Sequence, residues 1–144
     1  EDYKVNVVGA FKVIKALLPN LRKAKGSSIV LFSTVASNTG MPFHASIAAA
    51  KGGLQSMGLS IAAELAKAQI RVNSIAPSLT DTPLAENLLS TEAKQEASAA
   101  RHPLNKVGSA NELASMAAYL LSDQAGFITG QIFGVDGGIG RLKT

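Results

Sequence analysis

Residues 43 to 53, FHASIAAAKGG, place Lys51 four residues after Ile47 in an alanine-rich run that reads as the first turns of a helix. Side chains at i and i+4 lie one turn apart on one helix face, so Ile47 and Lys51 share a face. Isoleucine has no ionisable group to offer. A partly desolvated lysine can itself have its pKa lowered toward neutrality and move a proton directly. His44, a turn before the helix, has an ordinary pKa suited to neutral proton transfer, although a lone loop histidine is more often simply solvated. Thr34 and Ser46 carry hydroxyls, which orient but do not ionise without a base beside them, and a helix N-cap is the preferred role for Ser46. Arg101 and His102 could meet an anionic substrate, with solvated loop positions as the simpler reading. Without cysteine there is no thiolate chemistry and no disulfide, and no metal site is expected.

The elements that must carry these residues follow from periodicity. Val5, Val8, Phe11, Ile14, Leu17 and Leu18 recur at spacings of three and four, which predicts an amphipathic helix over residues 2 to 18, continuing to about Lys25 despite Pro19. Ser28 to Ser33, SIVLFS, is a short β-branched apolar run suited to a strand buried on both faces, and the loop TVASNTGMPFH follows it. A helix from Ala45 to about Ala68, with Gly52 and Gly53 inside it, leads to a second buried strand, Ile70 to Pro77. Residues 78 to 106 read as a mobile surface excursion of short helices, with Thr91 supplying half of a capping box. A third long helix then starts at Ser109 or Asn111, and a strand over 130 to 138 ends on Gly137 and Gly138. Strands alternating with long helices predict α/β architecture with a parallel sheet and right-handed crossovers. With only three strands, the SIVLFS edge would be unpaired, so either something else completes it or the chain is part of a larger domain.

The chain of 144 residues, 47% of them hydrophobic, is long enough to bury one core. Its formal charge is +4, and the one basic cluster, Arg22, Lys23 and Lys25, sits where cations complement a helix C-terminus, a better reading than a nucleic-acid patch. No apolar run approaches the roughly 20 residues of a membrane span. Neither nucleic acid nor membrane is expected as a partner, and a reducing cytoplasmic setting is the default reading.

Taken in order, NVVGAF from Asn6, SIVLFSTVAS, the Ala48 to Lys51 run AAAK, IRVNSIAPSLTDTPL and FITGQIFGVDGG give the chain its resemblance to a known family. It resembles the C-terminal part of a short-chain dehydrogenase/reductase. The resemblance implies the C-terminal portion of a doubly wound, parallel-sheet Rossmann-like fold, about three strands with flanking helices, with residues 1 to 144 belonging to a single domain. The glycine-rich turn that receives the cofactor pyrophosphate would lie upstream of Glu1, since no Gly-x-x-x-Gly-x-Gly pattern occurs here. NAD or NADP is therefore expected only with that N-terminal half.

In the family, hydride moves between nicotinamide and a carbonyl or alcohol carbon while a tyrosine handles the oxygen-bound proton. The resemblance implies that Lys51 is the lysine that tunes this tyrosine and holds the nicotinamide ribose, that Asn6 positions a relay water, and that Thr34 takes the place of the substrate-binding serine. Ile47 stands where the tyrosine would be, and neither Tyr3 nor Tyr119 replaces it. The segment His-x-x-Ile-Ala-Ala-Ala-Lys looks like a divergent branch of the family. Lys51 or His44 would then have to move the proton. Pro77, Ser78, Leu79, Thr80 and Thr82 match the turn that meets the nicotinamide carboxamide. Ser78 replaces a glycine there, which questions either a positive φ or a close approach. The simpler alternative is that Pro77 ends a strand while Asp81 or Thr82 caps a short helix. Leu84 to His102 would cover the substrate, with Leu84, Leu88 and Leu89 lining a pocket or packing on the body. The expected activity is NAD(P)-dependent hydride transfer with a small carbonyl or alcohol substrate, in a homodimer or homotetramer built through the helices 2 to 25 and 45 to 68 and the last strand. The alternative is a catalytically silent relative that keeps the fold for ligand binding or subunit assembly.

Overall fold

A computed structural model describes residues 1–143. Its central sheet has three parallel strands in the order β1 (Ser28–Phe32), β2 (Arg71–Pro77) and β5 (Ile132–Val135). The register pairs Phe32 with Ile75 and Pro77 with Val135, so the carboxyl ends of all three strands lie along one edge. Helices α1 (Gly9–Lys23) and α2 (Ala45–Leu65) cover one face, and α4 (Ala110–Leu121) covers the other. Ile14, Leu31, Leu54, Ile61, Leu65 and Val72 form the core on the first side, while Ile75, Leu120 and Ala125 anchor the second. β2 feeds both cores because successive side chains of a strand alternate between faces.

The α/β architecture and the parallel sheet agree with the sequence, and several details depart from it. β2 is buried almost throughout, as its apolar run predicts. β1, expected to be buried on both faces, has only Leu31 buried, with Phe32 at 43% exposure. Among the described residues it is an edge strand, with no strand beside its outer side. α1 also differs: Ile14 and Leu18 face the core with Ala10 and Leu21, whereas Val5, Phe11 and Leu17 are exposed. The helix carries two apolar stripes, and only one meets the sheet. Gly58 explains how closely α2 approaches that sheet, since a Cβ there would stand 2.8 Å from Leu31 Cδ1. The final strand is shorter than expected, because Gly137 and Gly138 lie beyond it with positive φ.

Buried polar residues stitch the layers together. The Arg71 guanidinium donates to the carbonyls of Leu120 at 2.7 Å and Ser122 at 3.0 Å, the carboxyl end of α4 where a cation opposes the helix dipole. Asn73 donates to Ile128 O and accepts from Gln131 N, fixing the approach to β5. The excursion begins and ends on a second, two-stranded parallel sheet, β3 (Thr80–Asp81) with β4 (Gly108–Ser109). Between them lie a 3₁₀ segment (Pro83–Leu88) and α3 (Glu92–Ala100), whose N-cap Thr91 accepts from Lys94 N. Ser109 and Glu112 form a complete capping box at the start of α4.

Candidate active site

The site lies along the carboxyl edge of the parallel strands, where open α/β sheets take ligands. Immediately after β1, Thr34 stands in extended backbone and caps a 3₁₀ turn, Val35–Ser37, by accepting from Ala36 N at 3.3 Å. Ser33, buried beside it, donates to the Lys51 carbonyl at 3.2 Å and accepts from Gln55 Nε2 at 2.7 Å. The Lys51 ammonium in turn donates to the Phe32 carbonyl at 2.7 Å. These bonds clamp the second turn region of α2 against the end of β1 and bring Thr34 and Lys51 to one place. Partial burial holds the Lys51 pKa below the ordinary lysine value, because desolvation disfavours the charged form. An ammonium has three donors, so the bond to Phe32 leaves others for a ligand.

Ile47 is half-buried one turn before Lys51 and brings no polar atom to the site. His44 is the N-cap residue of α2 but makes no capping bond; its exposed ring donates from Nδ1 to Pro42 O at 2.7 Å. The preceding Phe43 has φ of 63° and is fully exposed, an unfavourable backbone state for a bulky residue. Ser46 does not cap the helix as expected. The helix starts at Ala45, which puts Ser46 inside its first turn, where the hydroxyl donates to Asp2 Oδ2 at 2.7 Å.

Asn6 lies in a π-helical turn, Lys4–Val8, that interrupts the expected continuous helix, and its side-chain amide donates to Asp2 O at 2.9 Å. Such turns are frequent at functional sites because they re-aim backbone groups. The Asn6 amide is not bonded to Thr34 or Lys51, so the structure does not link this residue to them. Tyr3 packs beside Gly53 on the α1–α2 surface, and Tyr119 belongs to α4 on the opposite face of the sheet.

The second arm of the site follows β2. Pro77 ends that strand, Thr80 Oγ1 donates to Ser78 O at 3.1 Å, and Thr82 is the N-cap of the 3₁₀ segment without a side-chain capping bond. Ser78 does not adopt a positive φ, so glycine's conformational freedom is not what this position requires. Its hydroxyl meets His102 Nε2 at 2.9 Å. His102, expected in solvent, is only 5% exposed. Neighbouring Arg101 is exposed, in keeping with the simpler reading of that position. Leu84 is 96% exposed and Leu88 60%, whereas Leu89 is buried, so only the last packs on the body as one of its two readings required. Ser33 and Gln55 escaped sequence reasoning, as did the burial of His102. The first two sit inside runs whose apolar neighbours dominate the pattern, and the partners of His102 are remote in sequence.

Comparison with known proteins places the chain in a family. The family profile described as enoyl-(acyl carrier protein) reductase matches residues 1–140. The chain is 38% identical over 135 residues to the 3-oxoacyl-[acyl-carrier-protein] reductase FabG of Thermotoga maritima, covering 94% of this chain and 54% of that protein. A short-chain type dehydrogenase/reductase from Mycobacterium ulcerans superposes with a TM-score of 0.87 at 32% identity, over 94% of this chain and 49% of its own. A gluconate 5-dehydrogenase from Burkholderia cenocepacia, solved with NADP and tartrate, gives a TM-score of 0.89 at 29% identity, over 96% and 55%. The chain thus spans about half the length of the relatives it matches.

Proposed function

The chain belongs to the short-chain dehydrogenase/reductase family, and on that premise we propose that it is the C-terminal part of an NAD(P)-dependent oxidoreductase with an atypical proton-transfer site. The glycine-rich half that holds the pyrophosphate and adenosine would precede Glu1. The observation that carries this reading is the clamp of Lys51 onto the end of β1 beside Thr34, with the Pro77–Thr82 turn at the end of the neighbouring strand.

The residues present fit a nicotinamide nucleoside. The half-buried Lys51 ammonium has donors to spare for ribose hydroxyls, and the turn from Pro77 through Ser78, Leu79 and Thr80 to Thr82 offers backbone groups at the strand end. When bound, the nicotinamide would give a hydride to the substrate carbon in reduction, or accept one from it in oxidation. Thr34 orients the carbonyl oxygen of a small substrate through its hydroxyl. In reduction, Lys51 gives a proton from Nζ to that oxygen as the hydride arrives at carbon, leaving an alcohol and a neutral amine that solvent reprotonates. Asn6 serves the proton path from the π-helical turn. His44, whose Nε2 has no partner among the described residues, is the substitute donor if Lys51 only binds ribose.

A homodimer or homotetramer is supported by the outward apolar stripe of α1, with Phe11 and Leu17 exposed, and by the shallow apolar groove that Tyr3, Val7, Phe11, Gly53 and Met57 line between α1 and α2. No helix among the described residues is long and apolar enough to cross a membrane.

The test is an assay of the complete protein with NADH and NADPH against a panel of carbonyl substrates, comparing wild type, Lys51→Ala, His44→Ala and Ile47→Tyr. Turnover in wild type that Lys51→Ala abolishes supports the reading; loss in His44→Ala alone transfers the proton step to His44. Turnover in the Ile47→Tyr variant and none in wild type would identify a silent relative.

A further inference from the structure

His102 and Ser78 depart from expectation together. Ser78 replaces a glycine in the turn assigned above to the nicotinamide, yet its backbone needs no positive φ. Its hydroxyl reaches across to an imidazole that is almost entirely removed from solvent. The ring is satisfied at both nitrogens. Nδ1 faces the Ser98 carbonyl in α3 at 2.9 Å, and a carbonyl can only accept, so Nδ1 carries the hydrogen. In the neutral ring Nε2 therefore accepts from Ser78 Oγ. His102 has neither a free nitrogen nor the exposure to recruit an anionic substrate.

The third side of the ring is closed by Gly137, whose φ is +60° and where a Cβ would stand 3.3 Å from His102 Cβ and 3.4 Å from Cδ2. The Leu104 amide donates to the Gly137 carbonyl at 3.1 Å, holding the chain just after His102 onto the same loop. At its root the excursion is already fixed by the β3–β4 pairing and by Gly108 N donating to Leu79 O at 3.1 Å. His102 adds a second tie, at the far end of α3, and that tie ends on the turn itself.

We propose that His102 is a positioning residue: by bonding Ser78 and Ser98 at once, it locks the Pro77–Thr82 turn to the covering helix α3, so that both are placed for the cofactor and substrate as one unit. This rests on the reading that the turn meets the nicotinamide. A glycine at position 78 would leave a buried ring nitrogen unpaired, so the serine and the histidine form a matched pair.

The experiment compares Ser78→Ala, His102→Ala, His102→Gln and the Ser78→Ala/His102→Ala double variant of the complete protein. Cofactor affinity is read by titration, and amide hydrogen exchange is read over residues 78–82 and 92–100. Each alanine variant is expected to weaken cofactor binding and speed exchange in both segments by about tenfold, with the double variant no worse than His102→Ala alone. His102→Gln, which retains a side-chain acceptor, should recover part of the loss. Additive effects of the two alanine substitutions, or faster exchange in α3 with an unchanged turn, would overturn the proposal. Ser78→Ala removes a single hydroxyl and keeps the test valid if His102→Ala folds poorly. A wild type that binds neither NADH nor NADPH defeats the functional reading alone, because the exchange measurements decide the Ser78–His102 lock without cofactor.

Discussion

On the proposed reading, the end of β1 and the end of β2 each depart from the family pattern at one residue, Ile47 and Ser78, and the two places differ in what surrounds the change. After β1, Ile47, in the place proposed for a tyrosine, brings no ionisable group, while Ser33, Gln55 and Lys51 form a clamp around the strand end. After β2, Ser78, in the place proposed for a glycine, has a buried partner in His102. A lost ionisable group cannot be recovered by packing, because proton transfer needs a titratable atom at the reacting oxygen. A changed turn residue can be absorbed locally, since any compatible hydrogen-bond acceptor satisfies the new hydroxyl. The first change is therefore expected to alter chemistry and the second to alter placement.

The sharpest way to break this contrast is to remove Lys51. If it is the proton donor, Lys51→Ala lowers kcat/KM by at least about 10²-fold, the scale of a positioned general acid, with folding retained as checked by thermal melting. The pH profile supplies the sign. The ammonium is the form required for reduction, and burial holds its pKa below that of an ordinary lysine. Reduction should then fall as pH rises through this lowered pKa, and alcohol oxidation should rise through it. Ile47→Tyr should raise the rate by about 10 to 100-fold and replace that profile with one set by a phenol beside a cation. An unchanged rate and profile in Ile47→Tyr would show that position 47 does not face the reacting oxygen.

Sequence legibility divides along the same line. On the β1 arm it was the resemblance that singled out residues by fixed short separations, four between Ile47 and Lys51 and thirteen between Thr34 and Ile47, and the structure brings Lys51 to the end of β1. β2 was legible as an apolar run, and α2 from composition and its flanking loop. The tie of His102 to the turn after β2 was not, since its burial depends on Ser78 and Gly137, which lie far from it in the chain. β3 and β4 have two residues each, too few to carry a period. The π-helical turn at Asn6 is hidden because the apolar spacing continues through it. On α1 the periodicity was real but did not say which of two apolar stripes faces the sheet. The capping box at Ser109 had an explicit signal, Glu112 three residues on, that a choice between two N-caps passed over.

On the β2 side, Gly137→Ala tests whether the loop behind His102 tolerates displacement. The substitution combines a positive φ with a Cβ inside ordinary contact distance of the ring, and should destabilise the fold by about 1–3 kcal/mol in denaturant unfolding. Cofactor affinity should fall with it, because the ring can yield only by pulling on Ser78. A stability loss with unchanged affinity would show that the turn and the loop are independent.

The smallest effect concerns the return of the excursion into α4. Glu112 is held at a pKa of about 2, first by its bond to the Lys106 ammonium, then by the Ser109 amide and hydroxyl. Because the folded value lies below the unfolded one, the stabilisation it gives is present above the ordinary carboxylate range and is lost as pH falls from there through about 2. Lys106→Ala should raise the Glu112 pKa in an NMR titration, since it removes the leading cause of the shift. The pair is exposed, so neutral-pH stability and cofactor affinity should barely change. That outcome would sharpen the contrast within the β2 arm itself. The charged bond at the root of the excursion only caps a helix, while the neutral buried bond at its far end places the turn.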